Sequence, residues 1–135
     1  MVSIRYAQES DKNFWFALDR HISESEFLKK ASDKTAYILF ENENPIGILR
    51  YNLFWDNTPF CTLLFLKKEH RKKGFGKQLL TFWEQEMRLR GYKETLTSTR
   101  SDESAQHFYR KAGYKDCGCL LLEGQPAEIF MTKTL

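Results

Sequence analysis

The stretch FCTLLFLKKEHRKKGFGK (Phe60 to Lys77) decides how this chain folds. Its first part, FCTLLFL (60–66), is an apolar run of strand length. The near-continuous apolar character predicts a central strand buried on both faces. The next part, 67–77, is basic and holds Gly74 and Gly76. Beyond it Phe75, Leu79, Leu80, Trp83 and Met87 recur at helical spacing, and Gly91 is placed to end that helix. The reading is strand, loop, helix.

Arg71-Lys72-Lys73-Gly74-Phe75-Gly76 therefore lies where a strand hands over to a helix. The first turn of a helix leaves backbone N–H groups without intrahelical partners, and the helix dipole favours an anion there. Glycines allow backbone to approach a ligand closely. Arg71, Lys72, Lys73 and Lys77 add positive charge at the same point. These properties describe a cradle for phosphate or pyrophosphate. Two phosphate motifs fit poorly. A P-loop needs Ser or Thr after Gly-Lys, where this chain has Gln78, and a dinucleotide fingerprint needs a third glycine at position 79, which is Leu.

Working outward, Val2–Tyr6 reads as a first strand. Ser10 and Asp11 are placed to cap a helix carrying Phe14, Trp15, Leu18 and Ile22. Ser23 and Glu26 form a capping box for a second helix. TAYILF (35–40) and IGILRYNLF (46–54) read as strands, with turns at Glu41–Pro45 and Asp56–Pro59. Each of the three prolines sits where a turn is expected. TLTST (95–99) is a short strand. Ala105, Phe108, Tyr109 and Ala112 form another helical stripe that Gly113 ends. Strands at about 115–122 and 127–133 follow. The order β-α-α-β-β-β-α-β-α-β-β alternates only in its second half, which favours a single mixed, mostly antiparallel sheet flanked by helices over a fully parallel one. At 135 residues, the chain is read as one domain over 1–135.

Composition narrows the function classes. The longest apolar run is far short of the roughly 20 residues that a membrane helix needs. MVSIRYAQES lacks the apolar core of a signal peptide, so a cytoplasmic location without membrane association is expected. Cys61, Cys117 and Cys119 have no disulfide-framework spacing. If 115–122 is a strand, Cys117 and Cys119 share a face, but no further ligand pair completes a metal site, and none is expected. His70 and His107 read as surface residues. The net charge of +3 looks uninformative until it is located. Lys67, Lys68, Arg71, Lys72, Lys73 and Lys77 face only Glu69 within 67–77, while the remainder of the chain carries a slight acidic excess. One concentrated basic loop suits a discrete phosphate ligand better than diffuse attraction to a polyanion.

The loop resembles the cofactor signature [Q/R]-x-x-G-x-[G/A] of the GNAT superfamily of N-acetyltransferases, matched by Arg71, Gly74 and Gly76. A second match lies downstream. Asp102 to Tyr114 follows the family's N-x-x-A-x-x-x-Y-x-x-x-G-[F/Y], with Ala105, Tyr109, Gly113 and Tyr114 in register and Asp102 where Asn is usual.

The resemblance implies the GNAT fold and transfer of the acetyl group of acetyl-CoA to an amine by direct attack. It implies that Arg71, Lys72, Lys73, Gly74, Phe75, Gly76 and Lys77 hold the CoA pyrophosphate. Backbone near Leu64 and Leu66 would pair with the pantetheine arm, which enters where a bulged fourth strand splays from the fifth. Tyr109 would hydrogen-bond the departing thiolate. Asp102 is either a cofactor contact or a helix cap, the cap being favoured. Some relatives carry a basic Glu early in the fourth strand; here that position is Phe60. Asp56, Glu24 and Glu26 are the alternative carboxylates, beside a water relay.

The acceptor region is read more loosely. Tyr51, Phe54 and Trp55 either line an acceptor pocket or pack in the sheet. Phe14 and Trp15 border it or belong to the core. Asp19, Glu24 and Glu26 suggest a cationic acceptor, a small molecule or a peptide amine. The partners expected are acetyl-CoA and that amine, with the protein a monomer or homodimer. A CoA-binding sensor or interaction module without turnover is the alternative, and nucleic-acid binding through 67–77 a weaker one.

Overall fold

The computed structural model describes all 135 residues, Met1–Leu135. Its strands are β1 (Val2–Tyr6), β2 (Ala36–Glu41), β3 (Asn44–Phe54), β4 (Thr58–Leu66), β5 (Glu94–Arg100), β6 (Lys115–Leu120) and β7 (Glu128–Thr134). Its helices are α1 (Lys12–Leu18), α2 (Glu24–Asp33), α3 (Phe75–Leu89) and α4 (Ala105–Lys111). The strands form one sheet in the order β1-β2-β3-β4-β5-β7-β6. The β4–β5 pair is parallel, while β1–β2, β2–β3, β5–β7 and β6–β7 are antiparallel. The expected mixed, mostly antiparallel sheet is what forms.

Internal packing divides the chain into two compact units, Met1–Asn52 with Leu63–Trp83, and Leu53–Thr62 with Glu84–Leu135.

In the first unit, Ala36–Leu39 of β2 and Ile46–Leu49 of β3 are buried at consecutive positions. These two strands, and not β4, are the ones covered on both faces. Trp15, Phe27, Ala36, Ile38 and Ile48 form the core on one side, with Phe14 packed against it. Tyr51 is buried between Tyr37 and Trp83, at ring centroid distances of 6.3 and 5.7 Å. A Cβ on Gly47 would collide with the Leu66 side-chain terminus, so the Leu66 rotamer seen here fits against a glycine.

Local details depart from expectation. α1 stops at Leu18, before Ile22. Asp11 does not cap it with its side chain. That carboxylate accepts from the Gln8 amide at 2.8 Å and takes a bidentate pair from Arg5, capping the short 3₁₀ turn Glu9–Asp11 instead. Ser23 caps α2 as its sequence implies, accepting from the Glu26 amide at 3.2 Å. Pro45 and Pro59 lie inside strands rather than in turns, each one residue from the strand start, where a missing N–H is tolerated. The turns fall one step earlier. Asn42 and Glu43, then Trp55 and Asp56, take positive φ, the two-residue pattern that matches strand twist in a hairpin.

In the second unit, β5 alternates strictly, with Thr95, Thr97 and Thr99 buried and Leu96 and Ser98 half-exposed. One face of this part of the sheet is buried and the other is half-exposed. Beneath the covered face Glu84 accepts from the Tyr114 hydroxyl at 2.8 Å and pairs with Lys133 at 3.0 Å. Gly113, at φ +102, lets the chain leave α4 for β6. β6 is exposed along its whole length, and its register with β7 shifts between Asp116 and Gly118. Cys117 is the inserted residue, so plain alternation does not set Cys117 and Cys119 on one face.

Candidate active site

In the first unit, β4 ends at Leu66 and leads through the 3₁₀ turn Lys68–His70 into Arg71–Gly74 and α3. Lys72 and Gly74 both take positive φ, +61 and +89. Gly74 has no heavy atom within 4 Å of where a Cβ would stand, so glycine serves the backbone conformation there rather than relieving a clash. The Gln78 amide donates to the Gly74 carbonyl at 3.1 Å, which opens the helical ladder. The amides of Phe75, Gly76 and Lys77 precede that bond and have no intrahelical acceptor. Phe75 is turned inward and is 9% exposed.

Arg71 is tied back to the strand. Its Nε donates to the Leu66 carbonyl at 3.1 Å, and its guanidinium lies 4.8 Å from the centre of the Phe65 ring. It orients the loop as well as adding charge. His70 is largely buried rather than a surface residue; its Nε2 lies 3.6 Å from Glu41.

The expectation that β4 is buried on both faces fails. Thr62 and Phe65 are exposed and Leu63 and Leu64 half-exposed, although β4 is the middle strand of seven. The parallel ladder to β5 has only the pairs Phe60–Leu96 and Cys61–Thr97 and ends there.

Tyr109 of α4, in the second unit, is buried at that last rung. Burial pushes its phenol well above the usual tyrosine range; the neighbouring Cys61 thiol adds to this and the Thr97 hydroxyl opposes it. The group therefore keeps its proton and acts as a donor. Asp102 is not a helix cap. Ser104 occupies the N-cap position, without a side-chain bond, and Asp102 is paired with Arg100 at 3.0 Å.

A model of the acetyltransferase (GNAT) family matches residues 3–114. The chain belongs to the GNAT family. It is thus an acyltransferase, with acetyl-CoA as cosubstrate. Solved structures share the GNAT fold at low identity. Ard1 from Thermoplasma volcanium superposes with a TM-score of 0.88 at 14% identity, over 99% of this chain and 97% of that one. The ribosomal-protein-S18-alanine N-acetyltransferase from Escherichia coli gives 0.83 at 16%, over 99% and 94%. The PaiA N-acetyltransferase from Thermoplasma acidophilum, solved in complex with coenzyme A, gives 0.78 at 20%, over 100% and 99%. No curated protein sequence matches this chain.

Several residues expected around the acceptor of this GNAT chain are otherwise engaged. Asp19 has a fully buried carboxylate that accepts from Trp15 Nε1 at 3.0 Å, Arg50 Nε at 2.8 Å and the His21 amide at 3.1 Å. It locks the end of α1 and offers nothing to an acceptor cation. Trp15 and Tyr51 are core residues. Glu24 and Glu26 are exposed on α2. Trp55 stands exposed at the β3–β4 turn, while Phe54 packs beside Phe60 and Phe130. Sequence reading overlooked Glu128 and Phe130, which carry no motif and are brought to Phe54 and Phe60 only by strand order. No helix is long and apolar enough to cross a membrane.

Proposed function

We propose that this GNAT acyltransferase is an N-acetyltransferase that moves the acetyl group of acetyl-CoA directly to a primary amine of a small molecule or peptide, working as one domain in the cytoplasm. The observation that carries the reading is the buried Tyr109 phenol at the rung where the β4–β5 ladder stops.

In this reading the amides of Phe75, Gly76 and Lys77, with Arg71, Lys72, Lys73 and Gly74, take the CoA pyrophosphate. β4 backbone near Leu64 and Leu66 takes the pantetheine arm. The Leu66 carbonyl already accepts from Arg71 Nε, so it serves as a shared acceptor. Asp102 bears on the cofactor only through its pair with Arg100.

The amine attacks as the neutral base, its nitrogen bonding to the thioester carbonyl carbon. The nitrogen, now cationic, loses a second proton to solvent, the C–S bond breaks, and CoA leaves as thiolate. An alkylammonium has a pKa of about 10, so its proton is lost to water or a base before attack. Tyr109 stabilises the thiolate by donating a hydrogen bond. Its raised pKa makes complete proton transfer to a thiolate unfavourable, and the thiol gains its proton from solvent.

Phe60, where some relatives hold a basic Glu, favours a second reading, a CoA-binding module without turnover. One assay separates the two. Acetyl-CoA raising the melting temperature with CoA thiol released on amine addition supports the enzyme. Binding without release across a broad amine panel supports the module, and no thermal shift with any acyl-CoA overturns both.

A further inference from the structure

The second unit has a half-exposed sheet face on which aromatic rings and a carboxylate lie together. Strand register sets Leu96, Ser98, Phe130 and Glu128 on that face, opposite the side where Thr95, Thr97 and Thr99 are buried. Phe60 joins them as the partner of Leu96. The Phe60 and Phe130 rings lie 5.6 Å apart, and Phe54 lies 6.0 and 6.3 Å from them. All three rings are half-exposed.

Glu128 is two residues from Phe130 on the same face. Its Oε2 accepts from the Ser98 hydroxyl at 2.7 Å, which fixes the carboxylate beside the rings. Its cross-strand partner Arg100 is directed to Asp102 instead, so Glu128 has a hydroxyl donor but no cation. A positioned carboxylate at the rim of a half-open aromatic cluster complements a cation attached to a flat apolar group. Two residues of strand span about 7 Å, the reach of a ring carrying its ammonium on two or three carbons.

Phe60 and Cys61 are consecutive, so their side chains leave β4 on opposite faces. The Phe60 side carries the aromatic cluster; the Cys61 side carries Tyr109. An acyl group held at the end of the β4–β5 ladder would meet Tyr109 from one face of the sheet and a nucleophile from the other.

We propose that Phe54, Phe60, Phe130, Ser98 and Glu128 form the acceptor subsite, and that the acceptor is a primary amine tethered by a short aliphatic chain to an aryl or similarly flat apolar group. The proposal rests on the N-acetyltransferase reading and names its substrate class. Glu128 binds the ammonium and, after its proton is lost to water, leaves the neutral nitrogen beside the acyl carbon.

Equilibrium binding of 2-phenylethylammonium, n-butylammonium and phenylacetate to the full chain with CoA present tests it. The expected result is that 2-phenylethylammonium binds at least tenfold more tightly than either other probe. Glu128→Gln keeps an acceptor for Ser98 and is expected to weaken that binding about tenfold; Phe130→Leu does so for the ring without removing charge recognition. Equal binding of phenylacetate, equal binding of n-butylammonium, or undiminished binding to E128Q overturns the subsite. CoA affinity of the unsubstituted chain, measured alongside, reports on the underlying reading. CoA bound without amine preference overturns the subsite alone; no CoA binding overturns the reading beneath it.

Discussion

Thr97 donates its hydroxyl hydrogen to the carbonyl of Cys61, its own register partner, at 2.9 Å. A side chain thus supplies a bond just where the parallel ladder runs out. Both residues bear on the Tyr109 phenol.

Replacing Thr97 by Val keeps the shape and removes the donor. The buried Cys61 carbonyl then loses a partner, at a cost of about 1–2 kcal/mol. Urea unfolding is expected to show a lower midpoint at unchanged slope. An unchanged midpoint would count against any structural role for this bond.

Tyr109→Phe removes the hydroxyl and leaves the ring. A donor aimed at developing negative charge is worth about 100-fold in rate, so kcat is expected to fall by that order while the KM for acetyl-CoA stays nearly constant. The raised pKa also fixes the pH response. Because the phenol holds its proton beyond the ordinary value of about 10, no loss of activity from its ionisation is expected below that pH. A rate profile with a descending limb near pH 8 that vanishes in Y109F contradicts this.

Asp19→Ala strands the Arg50 guanidinium and leaves Trp15 Nε1 without its acceptor. Breaking a buried pair by deleting one partner costs about 3–5 kcal/mol. Thermal unfolding should show one of the largest losses of any single substitution in this chain. A loss under 1 kcal/mol would mean that the α1–α2 turn is held by other contacts.

Gly74→Ala tests conformation without crowding, since the space around the position is open. At φ +89 an L-residue costs about 1–2 kcal/mol. The expected outcome is weaker CoA binding with near-normal kcat at saturating acetyl-CoA. Calorimetric titration of CoA decides it; unchanged affinity would separate the loop's conformation from cofactor binding.

Arg5 holds the Asp11 carboxyl below its usual range, chiefly by its hydrogen bonds. A lowered folded-state pKa stabilises the fold above the unfolded value of about 3.9, and the contribution is lost as pH falls through the folded value. Asp11→Asn is therefore expected to flatten the acid limb of stability against pH and to leave its neutral region lower. Parallel acid limbs in the two proteins would disprove the assignment.

The parts of this fold that local chemistry specifies were readable in the sequence. The Phe75–Met87 stripe becomes the buried face of α3, and Gly91 and Gly113 follow their helices at positive φ. Strand positions hold to within two residues. What could not be read depends on partners distant in sequence. Nothing local says that Thr62 and Phe65 stay exposed, so the apolar character of FCTLLFL suggested complete burial. Asp19 looked available because Arg50, its partner, is 31 residues away. Pro45 and Pro59 looked like turn residues because the real turns use Asn42-Glu43 and Trp55-Asp56, without glycine. Glu128 belongs to no motif and meets Ser98 only through the β5–β7 register.

The sheet order also bears on how the chain is assembled as it is made. β7 follows β6 in sequence but is inserted between β5 and β6, and β6 has no other sheet neighbour. Until residues 128–134 leave the ribosome, β6 has nothing to pair with and one edge of β5 stays bare. The acceptor-side carboxylate and the strand that joins β6 to β5 arrive together, so a nascent chain acquires its proposed substrate recognition only in the step that brings β6 into the sheet.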